Sequence, residues 1–200
     1  MKVLVQGYQL EFVQVPMRFH ERSIVNLFAQ KNNKTLTETL SARRYTRLSE
    51  EVQRRYPSSL NEKLGEFLYR LKILDDSLYL RFLNEHGDKV FCDFSIEKTV
   101  PSKTKGIYCF TTGEGIKYAG RSHDPFERRL NQGYGHISPK NCYLDGQSTN
   151  CHVNSLIAEV HDVVSFYVCS IDDDSEIDRL ERLLIKSYEP EWNIRLYGDA

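Results

Sequence analysis

The chain has no long apolar run. No stretch approaches the roughly 20 residues that a membrane span requires. The opening Met1-Lys2-Val3-Leu4-Val5-Gln6-Gly7 is too short an apolar run for a secretory signal. No membrane partner is therefore expected. A cysteine framework is missing as well. Cys92, Cys109, Cys142, Cys151 and Cys169 are odd in number and irregularly spaced. That argues against a disulfide scaffold and for a reducing, cytoplasmic compartment. Neither charge is in surplus, with 27 Lys and Arg against 28 Asp and Glu. Residues 1–100 carry 16 basic against 13 acidic side chains, and residues 101–200 carry 11 against 15. A nucleic-acid enzyme of this composition has to gather its positive charge on one face. Two motifs are also absent. Gly113-Glu114-Gly115 lacks the Lys-Ser/Thr sequel of a phosphate-cradling loop. Cys142, Cys151 and His152 do not have the spacing of the common zinc fingers.

What is present centres on residues 106–120, Gly-Ile-Tyr-Cys-Phe-Thr-Thr-Gly-Glu-Gly-Ile-Lys-Tyr-Ala-Gly. Two runs rich in aromatic and β-branched residues, 106–110 and 116–120, flank a Thr- and Gly-rich middle. This pattern predicts a β-hairpin with a glycine-bearing loop. Arg121 follows directly. Asp124, Pro125 and Glu127 then read as an N-cap, a first helical position and a capping box. The expected helix carries Arg128 and Arg129 in its first two turns.

Residues 131–152 are rich in Gly, Asn and Ser and read as one long loop containing His136. A helix over Val153–Val160 and a strand over Val163–Cys169 follow. Asp173 and Glu176 open a last helix that ends by Tyr188, before Pro190, and the run Asp172-Asp173-Asp174 reads as capping. On that helix Ile177, Leu180, Leu184 and Tyr188 form an apolar stripe, and Glu181 falls inside it. A buried, unpaired carboxylate costs several kcal/mol, so Glu181 requires a cation. That cation is either an arginine from elsewhere or a divalent metal.

The first hundred residues carry weaker signals. Residues 3–15 read as strand, ended by Pro16. Ile24, Leu27 and Phe28 suggest a helix over Glu21–Gln30. Thr35 or Thr37 is a helix cap. Arginines 43, 44, 47, 54 and 55 make the next stretch basic. Asn61 is expected to cap an amphipathic helix bearing Leu64, Phe67, Leu68, Leu71 and Leu74. Leu78–Leu83 and Lys89–Phe94 read as a hairpin. Helices followed by a hairpin fit either a winged-helix DNA reader or a small bracing domain. Glu97–Lys105 reads as a linker, giving residues 1–100 as an accessory or DNA-recognition region and 101–200 as the catalytic domain.

From near Lys103 to Tyr197 the chain resembles the GIY-YIG nucleases. Gly106-Ile107-Tyr108 matches the first motif, and Tyr118-Ala119-Gly120 the second, with Ala in place of the usual Ile. The resemblance implies an α+β fold, a small central antiparallel or mixed sheet flanked by helices, with an N-terminal α/β extension. It implies hydrolysis of phosphodiester bonds in double-stranded DNA with a divalent metal, Mg²⁺ or in its place Mn²⁺. Tyr108 corresponds to the base or water-orienting residue, Tyr118 to its hydrogen-bonding partner, and Glu181 to the metal ligand. The family's phosphate-binding arginine falls on Arg129 or, counting without a gap, on Arg128. His136 corresponds to a histidine of some restriction-type members. Asn193 corresponds to a supporting asparagine, and Lys117 and Arg121, within and directly after the second motif's run, are candidates for nucleic-acid contact or support. A compact restriction-type enzyme acting as a homodimer on DNA is expected by the same analogy. Homing, repair and RNA-processing nucleases, and a non-catalytic DNA-binding module, remain as alternatives.

Overall fold

Alternating β-branched and aromatic residues pair into strands here, and leucines at three- and four-residue steps coil into helices. The computed structural model describes residues 1–194; the last positions of the resemblance, to Tyr197, lie outside the described residues. The fold is α+β, with antiparallel sheets and flanking helices. Its elements are β1 (Lys2–Val5), β2 (Tyr8–Glu11), β3 (Val13–Val15), β4 (Met17–Ile24), α1 (Leu36–Leu40), α2 (Thr46–Arg55), α3 (Leu64–Ile73), β5 (Phe91–Ile96), β6 (Gly106–Thr112), β7 (Gly115–Ser122), α4 (Phe126–Arg129), α5 (Ser148–Glu159), β8 (Ser165–Ser170) and α6 (Asp174–Tyr188).

Contacts group the chain into two units. One comprises Met1–Arg22, Cys92–His136 and the chain from Leu156 onward. The other comprises Ser23–Phe91 and Ile137–Ser155.

In the first unit, β3, β8, β6 and β7 form an antiparallel sheet in that order, with β7 at its edge. Gly106 begins β6 at φ +140°, and an added Cβ would lie 2.2 Å from the Cys169 carbonyl oxygen, so only glycine fits. The β6–β7 turn is tighter than expected, with only Gly113 and Glu114 between the strands. Helix α6 packs on β1, β6 and β7. There Leu180, Leu184 and Ile185 meet Val3, Val5, Ile107, Cys109 and Ala119. On the opposite face Tyr108 and Phe110 pack against Phe166, with ring centroids 5.8 and 5.1 Å apart. Rings of this size withdraw roughly 150–250 Å² each from water, which makes them the main weight of that face.

The second unit is mainly helical. Val52, Leu64, Phe67, Leu68, Leu71 and Phe82 are fully buried in its core. Thr35 caps α1 in a complete capping box with Glu38.

Several expectations change. The helix expected over Glu21–Gln30 is strand β4 as far as Ile24, followed by a single 3₁₀ turn over Leu27–Gln30. The adjacent Leu27 and Phe28 both enter the core from that turn, so their spacing only imitated a helix. The hairpin expected over residues 78–94 is a 3₁₀ helix, Ser77–Phe82, capped by Asp76, which accepts from the Leu78 N–H at 3.0 Å. Leu78 and Phe82 point inward at helical spacing, and β5 pairs instead with β4. The wing of a winged helix is therefore absent. Asn61 does not cap α3. The N-cap is Lys63, and the Leu64 and Gly65 N–H groups donate to the carbonyls of Lys34 and Lys31. Residues 131–152 are not one loop: a π-turn, a 3₁₀ turn and the start of α5 occupy much of the stretch. Glu97–Lys105 is built into the first unit, with Ser102 fully buried.

Candidate active site

The register of the hairpin sorts its residues onto two faces. Tyr108 lies opposite Gly120, and Phe110 opposite Tyr118; these four share one face. Ile107, Cys109, Ala119 and Arg121 share the other, under α6. Gly120 is there because Tyr108 crosses it. A Cβ at position 120 would lie 2.6 Å from the Tyr108 hydroxyl and 2.7 Å from Cζ. The glycine of the second motif thus makes room for the tyrosine of the first.

On the tyrosine face three side chains converge on one oxygen, the hydroxyl of Tyr134. The Tyr108 hydroxyl donates to it at 3.2 Å, and Arg129 Nη2 donates to it at 2.8 Å. The Tyr118 hydroxyl lies 3.0 Å away. Two donors fill both lone pairs of a phenol oxygen, so the Tyr134 proton is left for Tyr118. Tyr108 and Tyr118 are therefore joined through Tyr134. The Arg129 guanidinium also stacks over the Tyr134 ring, 4.5 Å from its centroid.

Burial differs along this chain of hydroxyls. Tyr108 and Tyr134 are 1 % exposed, and Tyr118 is 8 % exposed. Burial, and then the neighbouring Tyr134, push the Tyr108 and Tyr118 hydroxyls well above the usual phenol pKa, and the Glu181 charge adds to the rise at Tyr118. Both are neutral hydrogen-bonding groups at pH 7 in this arrangement.

Tyr134 was not visible as a functional residue in the sequence. It lies five residues after Arg129, one more than an α-helical turn requires. The extra residue is absorbed by the π-turn Leu130–Tyr134 after α4. The Gly135 N–H closes that turn on the Leu130 carbonyl at 2.7 Å. A Cβ at Gly135 would meet the Phe94 carbonyl oxygen at 2.2 Å, so glycine holds the closure. The expected capping box before α4 is not formed. Pro125 is the N-cap, and Asp124 instead accepts from Arg128 at 3.1 Å. Arg128 therefore faces away from the cluster that Arg129 enters.

On the α6 face, Glu181 is buried, and Arg121 Nη1 donates to its Oε2 at 3.0 Å. Arg121 also pairs with Asp178 at 3.2 Å. Of the two cations the sequence allowed, the structure places an arginine there. The Arg121 side chain is 31 % exposed, so it approaches Glu181 from the open side. Among the described residues no three His, Cys, Asp or Glu side chains gather as metal ligands. A cation at Glu181 would therefore take one protein carboxylate, with water and phosphate completing its shell. That donor set suits Mg²⁺, which commonly keeps several waters.

The remaining candidates are dispersed. Asn193 clamps the outer edge of β7: its Oδ1 accepts from the Ala119 N–H at 2.9 Å, and its Nδ2 donates to the Ala119 carbonyl at 2.8 Å. It pairs an otherwise open strand edge at the second motif. Lys117 pairs with Glu114 and Glu191. His136 bonds Asp93 at 2.7 Å. The acidic start of α6 is used locally. Asp173 accepts from the Glu176 N–H, and Asp174 pairs with Lys105 and His123.

No curated protein and no solved structure matches the chain. Residues 104–195, a little under half of it, match the family model of the GIY-YIG catalytic domain.

Proposed function

Because residues 104–195 are a GIY-YIG nuclease catalytic domain, we propose that this chain is a divalent-metal-dependent endonuclease that cuts duplex DNA at specific sequences. The reading is restriction-type, with a homodimer engaging a two-fold target. Its accessory or DNA-recognition region is drawn from residues 1–100, chiefly Ser23–Phe91, and the enzyme works in the cytoplasm.

The observation that most supports catalysis is the convergence of Tyr108, Tyr118 and Arg129 on the Tyr134 hydroxyl. Hydrolysis of a phosphodiester requires a placed water, a proton path, and charge stabilisation on the phosphoryl oxygens. Tyr118 is the exposed end of the hydroxyl chain, so it orients the water. Tyr134 and Tyr108 continue the hydrogen-bonded chain inward, and the neutral Tyr108, which donates to Tyr134, takes the water-orienting role through it. Arg129 is fixed by Tyr134 and keeps its charge, offering guanidinium N–H groups to the phosphate. Glu181 would hold Mg²⁺, with Mn²⁺ able to replace it. The ion, when bound, acts as a Lewis acid on the phosphate and the leaving oxygen. Arg121 must yield part of its hold on Glu181 and remains with Asp178. Arg121, Lys117 and Asn193 support the site, and Arg128 and His136 lie at its periphery.

The Glu181–Arg121 pair gives a non-catalytic DNA-binding module its one supporting observation. The two readings separate on supercoiled plasmid, linear duplex and structured RNA, each with Mg²⁺, Mn²⁺ or chelator. Metal-dependent cutting of duplex at discrete positions supports the proposal. Binding that survives chelator and is never followed by cleavage overturns it, and preferential cutting of RNA assigns the domain to RNA processing.

A further inference from the structure

The catalytic unit is the wrong sign for a DNA binder. Its stretches carry 14 Lys and Arg against 18 Asp and Glu, a net −4. The second unit carries 13 against 10, a net +3. Four of those thirteen basic side chains are already committed. Arg55, Arg70, Lys72 and Arg81 pair with carboxylates.

Lys31, Lys34 and Lys140 stand out because they gather around one cleft. Among the described residues none of the three makes an ion pair. Lys31 and Lys140 line an open cleft of about 460 Å³ with Gln30, Asn32, Asn33 and Ser138. Lys34 follows Asn33 at its margin. Burial lowers the pKa of the Lys31 ammonium, and Lys34 and Lys140 push the same way, so the three charges lie close enough to repel. Asp145, which accepts from the Tyr45 hydroxyl at 2.7 Å, offsets part of this charge. Glu38, near Lys34, is engaged in the Thr35 capping box.

The walls of the cleft are fixed. The Lys31 and Lys34 carbonyls accept from Gly65 and Leu64, each at 3.0 Å. Lys31 Nζ sits 4.2 Å over the Tyr143 ring, and the Tyr143 hydroxyl donates to the Phe28 carbonyl. Ser138 and Asn141 form a capping box on the other wall. Ammonium groups in excess over the carboxylates beside them, set among amide and hydroxyl donors on a rigid frame, are the groups that hold phosphate oxygens in register.

We infer that the Lys31–Lys34–Lys140 cleft binds the phosphate backbone of duplex DNA. The inference rests on the duplex-DNA reading above and adds a sequence-independent anchor outside the catalytic unit. Its contacts set orientation and affinity, and the choice of sequence lies elsewhere.

The test is binding of the full chain to a labelled duplex in chelator, followed by fluorescence anisotropy from 50 to 200 mM salt. The probes are two duplexes of unrelated sequence and an RNA hairpin. Lys34→Gln/Lys140→Gln changes two exposed side chains, and Lys31→Gln is added to it as a triple variant. Each lost phosphate contact lowers the slope of log K against log salt by about 0.9. A fall of about 2 for the double variant and up to about 3 for the triple, equal on both duplexes, is expected. Circular dichroism shows whether the triple variant is folded, and the double variant carries the test if it is not. Wild-type binding with an unchanged slope in the double variant overturns the inference. Tighter binding of the RNA hairpin overturns the choice of DNA. Failure of the wild type to bind any duplex instead removes the DNA reading itself.

Discussion

Tyr134 concentrates three hydrogen bonds on one oxygen, and this makes single-atom changes informative. Tyr134→Phe removes the oxygen and leaves the ring under Arg129. The two donors left without their acceptor cost about 1–3 kcal/mol in an unfolding titration. Loss of the hydrogen bonds that position Arg129 and Tyr118 lowers single-turnover cleavage by about 10²-fold or more. Glu181 and Arg121 form the other sensitive pair. Arg121→Gln leaves a buried carboxylate with weaker compensation, so stability falls by about 1–3 kcal/mol. The same change frees Glu181, and calorimetry is expected to show divalent-cation binding tightened several-fold. The phenols also set an alkaline limit. Tyr108 and Tyr118 have folded pKa values raised above the ordinary value near 10. The unfolded chain therefore loses these protons first. Their contribution is complete below about pH 10 and is lost as pH rises toward the folded values. Unfolding free energy measured from pH 8 to 11 is expected to fall above pH 10, and to fall less in Tyr108→Phe.

The hairpin of β6 and β7 was legible because its signals are local. Glycines at 106, 115 and 120 stand where a start, a turn and a ring crossing require them, and aromatic residues fill the runs between. Helix α6 was legible for the same reason, since its stripe and the N-cap at Asp173 lie within one segment. Glu181 stood out because a carboxylate inside that stripe contradicts its neighbours. What could not be read depends on partners distant in sequence. The π-turn that brings Tyr134 to Arg129 is closed by Gly135 against Phe94, some forty residues earlier. Arg129, and not Arg128, enters the cluster because Asp124 holds Arg128 and does not cap the helix. Strand β4 was read as helix because its partner β5 could not be known in advance. The hairpin also offers a clean packing test. Gly120→Ala sets a methyl against the Tyr108 ring, and thermal or denaturant unfolding is expected to show a loss of about 1–3 kcal/mol from overpacking. Cleavage falls with it, because the Tyr108 hydroxyl is displaced from Tyr134. Unchanged stability and rate would mean that the ring moves aside freely.

At the level of the whole chain, charge and chemistry are divided between the units. The acidic catalytic unit holds the tyrosines, Arg129 and Glu181. The basic unit holds the free lysines. The near-neutral total hides this, whereas a division at residue 100 gives the same net charges for different stretches, because both units are assembled from separated segments. On the function proposed above, the cluster around the Tyr134 hydroxyl, together with Glu181, cuts a phosphodiester. The most direct measurement is single-turnover cleavage of duplex DNA with Mg²⁺ by the wild type, Glu181→Gln, Arg129→Gln and Arg128→Gln, each checked for folding. The predicted result is a loss of 10²-fold or more in Glu181→Gln and Arg129→Gln, with Arg128→Gln within a few-fold of the wild type. Equal cleavage by all four proteins, or a loss in Arg128→Gln as deep as that in Arg129→Gln, would contradict it.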